Sequence, residues 1–114
     1  MKKIYTWAAQ PANRSLTVDD LKKAKGKKKF TQVTANTLDE AEAAEKAGFD
    51  MIICNAFNVK QVRDGSKNLF LTAALVLNKF VTSDDIMRGA FEALENGADA
   101  VMTPRRSEEH TSEL

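Results

Sequence analysis

A chain of 114 residues has room for one domain, and its 43% hydrophobic and 29% charged residues are typical of a folded globular protein, which excludes a wholly disordered chain. A formal net charge of +1 gives no reason to expect a nucleic-acid partner, and no apolar run approaches the roughly 18 residues of a membrane span. The first residues lack the apolar segment of a secretory signal and Cys54 has no second cysteine to pair with, so we expect a cytoplasmic protein without a membrane partner.

The first predicted helix begins after Thr17, where a threonine is followed three residues later by Asp20. This spacing lets the threonine hydroxyl cap the helix while the carboxylate reaches back to the cap's N–H. Gly26 should end the helix after Lys25, because glycine readily adopts the left-handed conformation of a helix end. The β-branched segment 30–35 then predicts the first strand of a sheet.

The same order of helix cap, helix, glycine and strand repeats in the next segment. Thr37 and Glu40 form a second capping box, and the alanine-rich stretch 41–47 predicts a thin helix that can pack close to a sheet. Gly48 should end this helix, and the unbroken apolar run Met51–Cys54 follows. A continuous apolar run is typical of a parallel strand covered on both faces.

Two further helix and strand pairs complete the pattern. Asn58 is predicted to cap a short helix that Gly65 ends, and the apolar segment 69–77 predicts the longest buried strand. Thr82 should cap a last helix, and 100–103 should form the fourth strand. The apolar stripe of that last helix is predicted from Ile86, Met87, Ala90, Phe91 and Leu94, at spacings of three and four.

Alternating strands and helices at this spacing indicate βαβ units with right-handed crossovers. We therefore predict an α/β fold, the N-terminal half of a parallel (β/α)8 TIM barrel with about four βα units, spanning residues 1–105. Tyr5 and Trp7 are expected to belong to a segment that covers one barrel end. A doubly wound open sheet is the alternative, but 34–37 lacks the glycine fingerprint that follows the first strand of such a sheet.

Residues 106–114 have no pattern in common with the rest of the chain. Their back-translation, AGA TCG GAA GAG CAC ACG TCT GAA CTC, resembles a sequencing-library adapter, so we interpret this tail as adapter-derived and exclude it from the fold. It contains His110, which leaves the rest of the sequence without a histidine base. The four remaining strands would form half a barrel with unpaired edges, for which we expect poor solubility.

Ligands of such folds bind at the carboxyl ends of the strands, which selects a small set of polar residues. The predicted substrate-binding residues are Thr34, Asn36, Asn55 and Asn58. The asparagines also suit turns and helix caps, and Thr34 also suits packing in a strand, so both interpretations stay open. Cys54 is interpreted as a small buried residue rather than a nucleophile. The lysine-rich stretch 22–29 is interpreted as a solvated surface.

Three stretches, KKKFTQVTA at 27–35, AEKAGFDMII at 44–53 and GADAV at 97–101, carry a family resemblance. In order and spacing they resemble the ketopantoate hydroxymethyltransferase (3-methyl-2-oxobutanoate hydroxymethyltransferase) family of phosphoenolpyruvate-binding TIM barrels, over residues 16–103. The resemblance implies a transferase of pantothenate biosynthesis that enolises a small 2-oxo acid on a magnesium ion. Methylene-tetrahydrofolate would supply the one-carbon unit, and we expect the full-length protein to be a homo-oligomer.

The sequence departs from this family at its acidic positions, which fall on Asn55, Ala74 and Pro104. Magnesium prefers anionic oxygens in octahedral geometry, and these residues supply none, so no metal ligand is assigned and the catalytic base is not identified. One hypothesis is an enzyme fragment that acts on a small 2-oxo acid. The alternatives are a non-catalytic barrel relative that binds a carboxylate or phosphate, and a C–C or P–C lyase similar to isocitrate lyase or phosphoenolpyruvate mutase.

Overall fold

The computed structural model describes residues 2–7, 9–24, 26, 29–75 and 82–103. Two sheets are found there, a two-stranded antiparallel hairpin and a four-stranded parallel sheet. The elements in chain order are β1 (Lys2–Tyr5), β2 (Pro11–Arg14), α1 (Val18–Ala24), β3 (Gln32–Thr34), α2 (Leu38–Ala47), β4 (Met51–Asn55), a 3₁₀ turn (Ala56–Asn58), α3 (Val59–Gly65), β5 (Phe70–Ala74), α4 (Ser83–Glu95) and β6 (Ala100–Met102).

The parallel sheet has the order β3-β4-β5-β6, so each strand lies beside the next strand in the chain. Its register pairs Val33 with Ile52, Ile52 with Leu71, and Ala73 with Val101. A helix connects each pair of neighbouring strands, as right-handed βαβ crossovers require. The predicted parallel α/β fold is confirmed, and the strand order within the described residues shows no reversal of the kind found in a doubly wound sheet.

Threonine caps begin the helices as predicted. The Thr17 hydroxyl accepts from the Asp20 N–H at 3.2 Å while the Asp20 carboxylate accepts from the Thr17 N–H at 3.0 Å, which completes a capping box. The Thr82 hydroxyl accepts from the Asp85 N–H at 3.0 Å. These local hydrogen bonds satisfy donors that the first helical turn cannot pair by itself. They fix where each helix leaves the sheet.

Alanines and glycines bring the helices close to one face of the sheet. Ala41 and Ala44 of α2 are buried in the same core as Ile52, Leu71 and other residues of the central strands. Gly65 lies so close to α2 that a Cβ atom there would overlap the Leu38 carbonyl oxygen, which leaves no room for any side chain. The thin alanine-rich helix predicted from the sequence is therefore confirmed, and its small side chains permit the close packing of α2 against α3.

The opposite face of the sheet is less covered. Side chains alternate along a strand, so the residues paired with Met51, Ile53 and Asn55 of β4 point to the same face as these three. Met51, Ile53 and Asn55 are half-buried, whereas Ile52 and Cys54 between them are buried. This half-covered face runs from Phe70 at the amino end of β5 to Ala74 at its carboxyl end.

None of the helices in the described ranges is long and apolar enough to span a bilayer.

The hairpin of β1 and β2 was not predicted. Its strands are short and mostly exposed, so the sequence gives little alternation to detect. The Ser15 N–H donates to the Asn68 carbonyl at 2.8 Å, just before β5, which anchors the hairpin at the amino end of the parallel sheet. Trp7 stacks on Phe91 of α4 with ring centroids 5.5 Å apart. Trp7, which was expected to belong to a segment that covers one barrel end, therefore contacts helix α4.

Two predicted strands differ from the observed ones. The first strand begins at Gln32 rather than at residue 30. Just before it, the Thr31 carbonyl accepts from the N–H groups of Asp50 and Met51, where the chain enters β4. The third predicted strand ends at Ala74 in the described residues. Residues 76–77 of that prediction, Pro104 and the 106–114 tail lie outside the described residues.

A buried ion cluster joins the hairpin to the amino end of the sheet. Asp99, just before β6, accepts from Arg14 Nε through both carboxylate oxygens at 3.0 Å and from Arg63 Nη2 at 2.8 Å. It also accepts from the Leu71 N–H at 3.0 Å. The side chains of Arg14, Arg63 and Asp99 are 4%, 10% and 10% exposed. At the amino end of a parallel sheet such a cluster is expected to stabilise the fold rather than to catalyse.

Candidate functional site at the carboxyl ends of the strands

Three of the predicted site residues meet where β3 and β4 end. Asn36 Oδ1 accepts from the Asn55 backbone N–H at 2.8 Å and from Asn58 Nδ2 at 3.1 Å. We call Asn36, Asn55 and Asn58 the asparagine cluster. A single amide oxygen therefore connects the end of one strand to the end of its neighbour and to the start of α3. The three residues are half-buried, so their remaining polar atoms can be reached from outside.

Local backbone geometry holds each member of the cluster. The Asn36 N–H donates to Glu40 Oε1 at 2.7 Å, and Asn55 Oδ1 accepts from the Phe57 N–H at 3.0 Å. The second bond makes Asn55 the cap of the 3₁₀ turn, so its predicted role as a turn former is confirmed. The side-chain N–H groups of Asn36 and Asn55 donate to no residue in the part of the chain that the structure describes. They remain as donors for a ligand.

Glu40 was predicted to close a capping box with Thr37, and this prediction is half right. The Thr37 hydroxyl accepts from the Glu40 N–H at 3.1 Å, but the Glu40 carboxylate binds the N–H of Asn36 instead of that of Thr37. The shift by one residue places a carboxylate beside the asparagine cluster. The spacing of threonine and glutamate indicated that the carboxylate would return to the helix start, although it did not identify the partner.

Asn58 was predicted to cap α3, and this prediction is half right. Asn58 occupies the cap position but makes no side-chain capping bond. Its Nδ2 donates to Asn36, and its Oδ1 accepts from Gln61 Nε2 at 3.3 Å. The preceding 3₁₀ turn gives Asn58 a φ of −106° and a ψ of 6°, which differs from the extended backbone of an N-cap. The side chain therefore serves the cluster.

Thr34 is not part of this arrangement. It ends β3 with an exposed side chain and makes no side-chain hydrogen bond to the asparagine cluster among the described residues. It is paired with Ile53, so both point to the half-covered face. Thr34 could contact a ligand that extends from the cluster over this face. Among residues 2–75 and 82–103, as far as the structure describes them, Thr34 has no partner that would fix its hydroxyl.

Asn55 and Ala74, two of the three positions at which the resembled family has acidic residues, lie side by side on neighbouring strands, and the third, Pro104, lies outside the described residues. Asn55 of β4 is paired with Ala74 of β5, which is paired with Met102 of β6. This row offers an amide, a methyl group and a thioether, none of which is the anionic oxygen that magnesium prefers. Within the described ranges, no group of three or more histidines, cysteines or acidic residues could hold a metal ion. These side chains do not fit a magnesium site.

Cys54 lies next to the cluster in sequence but points to the other face of the sheet. It is 2% exposed and belongs to the core under the helices. Burial raises the pKa of its thiol to about 11, and the positive charge of Arg63 offsets only part of this effect. The interpretation of Cys54 as a buried residue rather than a nucleophile agrees with this environment, because the thiolate is the reactive form.

The burial of Cys54 predicts slow alkylation of its thiol and a free energy of unfolding that depends on pH. A pKa of about 11 instead of 9.0 lowers the thiolate fraction at pH 8 about 100-fold, so we expect iodoacetamide to modify the folded chain at least that much more slowly than the chain in guanidinium. The unfolded thiol ionises first, so stability should fall as the pH rises above about 9. A Cys54→Ala variant should lose this part of the alkaline decline. Rapid modification of the folded chain would contradict the burial.

Comparison with models of known protein families gives no match for this chain. Comparison with curated proteins gives no match either. The function of the chain is therefore inferred from the resemblance described above and from the geometry of the asparagine cluster.

Proposed function

We propose that the parallel sheet belongs to a β/α barrel rather than to an open doubly wound sheet. The unreversed order β3-β4-β5-β6 supports this proposal, because successive crossovers of one hand place their helices on one face of the sheet. The core beneath α2, α3 and α4 is on that face, and the other face would become the barrel interior. In the described residues β3 and β6 each have a strand on one side only, where further strands would pair.

We propose further that the asparagine cluster binds the carboxylate and oxo oxygens of a small 2-oxo acid. The resemblance to ketopantoate hydroxymethyltransferases supports this substrate class, and the position of the cluster supports the site, because barrel ligands bind at the carboxyl ends of strands. The observation that carries the proposal is the pair of side-chain amides on Asn36 and Asn55. Each amide is held in place through its oxygen, which accepts a backbone N–H, so that its own N–H groups are available to donate to a ligand. Amide N–H groups are suitable donors to carboxylate oxygens.

Titration with 3-methyl-2-oxobutanoate tests this binding site. Asn55→Ala removes one donor and should weaken binding about tenfold, the effect of one hydrogen bond to a charged group. Asn96→Ala, an exposed asparagine at the end of α4, is the control and should bind as the unchanged chain does. Chemical-shift changes measured by NMR on the whole chain would report both affinity and location. Equal affinity of Asn55→Ala and the unchanged chain would refute the site.

One observation favours a second candidate, a non-catalytic relative that binds its ligand without turnover. Asn55 and Ala74, two of the positions at which the resembled family has carboxylates for enolisation, carry none. Calorimetric titration of the full-length protein with 3-methyl-2-oxobutanoate, with and without magnesium, separates the two candidates. Magnesium-dependent binding, or formation of a hydroxymethyl product with methylene-tetrahydrofolate, would eliminate the non-catalytic candidate. Metal-independent binding without product would eliminate the transferase.

A further inference from the structure

A cavity of about 400 Å³ lies at the other end of the sheet, between the hairpin and the amino ends of the strands. Small-molecule sites range from roughly 300 to 1,000 Å³, so this volume suits a small ligand. Hairpin residues, α1, β5 and α4 contribute to its wall. The apolar lining residues are Ile4, Trp7, Leu16, Val18, Phe70 and Leu94.

Arg14 and Asp99 form the charged part of the wall, and Thr6 and Thr17 add hydroxyl groups. The Arg14 Nε is bound to Asp99, and its Nη1 donates to the carbonyls of Asn13 at 3.0 Å and Lys67 at 2.9 Å. Its Nη2 donates to no residue in the described ranges. Every fully enclosed side-chain nitrogen or oxygen of those ranges has a hydrogen-bond partner, so Nη2 must border open space although the side chain is only 4% exposed. The cavity that Arg14 lines provides this space.

The charge around the cavity is unbalanced. The ion cluster contains two cations, Arg14 and Arg63, and one anion, Asp99, whose oxygens already accept four hydrogen bonds. The acidic residues at the start of α1 do not compensate, because Asp19 pairs with Lys23 at 3.0 Å and Asp20 pairs with Lys2 at 2.8 Å. A buried charge without a partner is costly, so an anion in the cavity would be stabilised.

We propose that this cavity binds a small carboxylic acid with an apolar body. Its carboxylate accepts from Arg14 Nη2, and its hydrocarbon part lies among Trp7, Phe70 and Leu94. The largely apolar wall and the single guanidinium group that lines it favour a monoanion with a hydrocarbon chain over inorganic phosphate, which needs more charged donors. The site is separate from the asparagine cluster, and neither proposal depends on the other.

Trp7 provides the measurement, because it is the sole tryptophan of the chain and lines the cavity. Titration of the whole 114-residue chain with 4-methylpentanoate should change its fluorescence and saturate. The uncharged 4-methylpentanamide, of nearly the same shape, should bind at least about tenfold more weakly, since it loses the charge-assisted bond. Equal affinities of acid and amide, or a change that does not saturate, would overturn the proposal.

A pair of variants makes the test independent of the buried cluster. Arg14→Gln should abolish binding, but it also removes a buried charge and endangers folding. Val18→Glu instead places an anion at a 49% exposed position of the cavity wall and should weaken acid binding at least about fivefold while sparing the amide. Leu38→Glu makes the same change at the first residue of α2, away from the cavity, and should leave both affinities unchanged. Acid affinity unaffected by Val18→Glu would refute the proposed site.

Discussion

Replacing Asp99 with asparagine is expected to destabilise the fold by about 3–5 kcal/mol, the usual cost of removing one partner of a buried ion pair. The substitution hardly changes volume, but it leaves Arg14 and Arg63 as neighbouring buried cations with no counter-charge. The new side-chain NH₂ group would also face other donors, among them the Leu71 N–H. Urea unfolding followed by circular dichroism measures the loss. For a domain of this size most of its stability would disappear.

Asp64→Asn is the matched control for this prediction. Asp64 pairs with Lys67 at 3.7 Å, and both side chains are more than half exposed. An exposed pair of this kind contributes little, so the control should unfold within about 0.5 kcal/mol of the unchanged chain. High salt should not reproduce the effect of Asp99→Asn, because buried charges are poorly screened. Equal stabilities of the two variants would show that the cluster is not a central support of the fold.

The second large effect is expected on the melting temperature and on magnesium affinity when carboxylates are introduced at the strand ends. Asn55 and Ala74 are paired on neighbouring parallel strands, roughly 4.8 Å apart, and point to the same face. The double variant Asn55→Asp/Ala74→Asp should therefore bring two carboxylates together. Without metal their repulsion should lower the melting temperature, and magnesium should raise it again by binding between them. Calorimetric titration with magnesium chloride should show at least about tenfold tighter binding than in the unchanged chain.

A control with the same added charge tests whether position matters. Gln10→Glu/Asn96→Asp introduces two acidic residues at separate exposed sites. This variant should neither lose stability in EDTA nor gain it in magnesium. If the strand-end variant behaved like this control, the two positions would not form a common site, which would count against the proposed resemblance to magnesium-dependent barrels.

Local sequence signals predicted most of the parallel sheet. Thr17, Thr37 and Thr82 begin the helices through bonds to residues three positions away, and Gly48 ends α2 with a φ of 87°. Such features depend on a few neighbouring residues, which is why the sequence alone locates them. The apolar run before Asn55 likewise identified a strand, although the predicted cover on both faces is wrong within the described residues, where one face of β4 is only half-buried. Parallel pairing of the strands was predicted because a helix separates each strand from the next in the sequence.

Contacts between distant parts of the chain were not predictable in this way. Arg14 and Asp99 are 85 positions apart, and no residue near either one indicates the other as its partner. The hairpin that carries Arg14 is too short and too exposed to show alternation, so its docking depends on tertiary contacts. At the candidate site the asparagines were identified by their positions after strands. The hydrogen bond that the Asn36 N–H donates to Glu40, and the one that Asn36 accepts from Asn58, could not be predicted, because they depend on the exact backbone geometry at the strand ends.

The link between Arg14 and Asp99 also determines the order of assembly during synthesis. The ribosome makes the hairpin first, yet the carboxylate that receives its arginine emerges only with the start of β6. The Ser15 bond to the segment before β5 cannot form until Asn68 has emerged either. The hairpin, although it is made before the βα units, can therefore complete its contacts only after the segments that carry Asn68 and Asp99 have emerged.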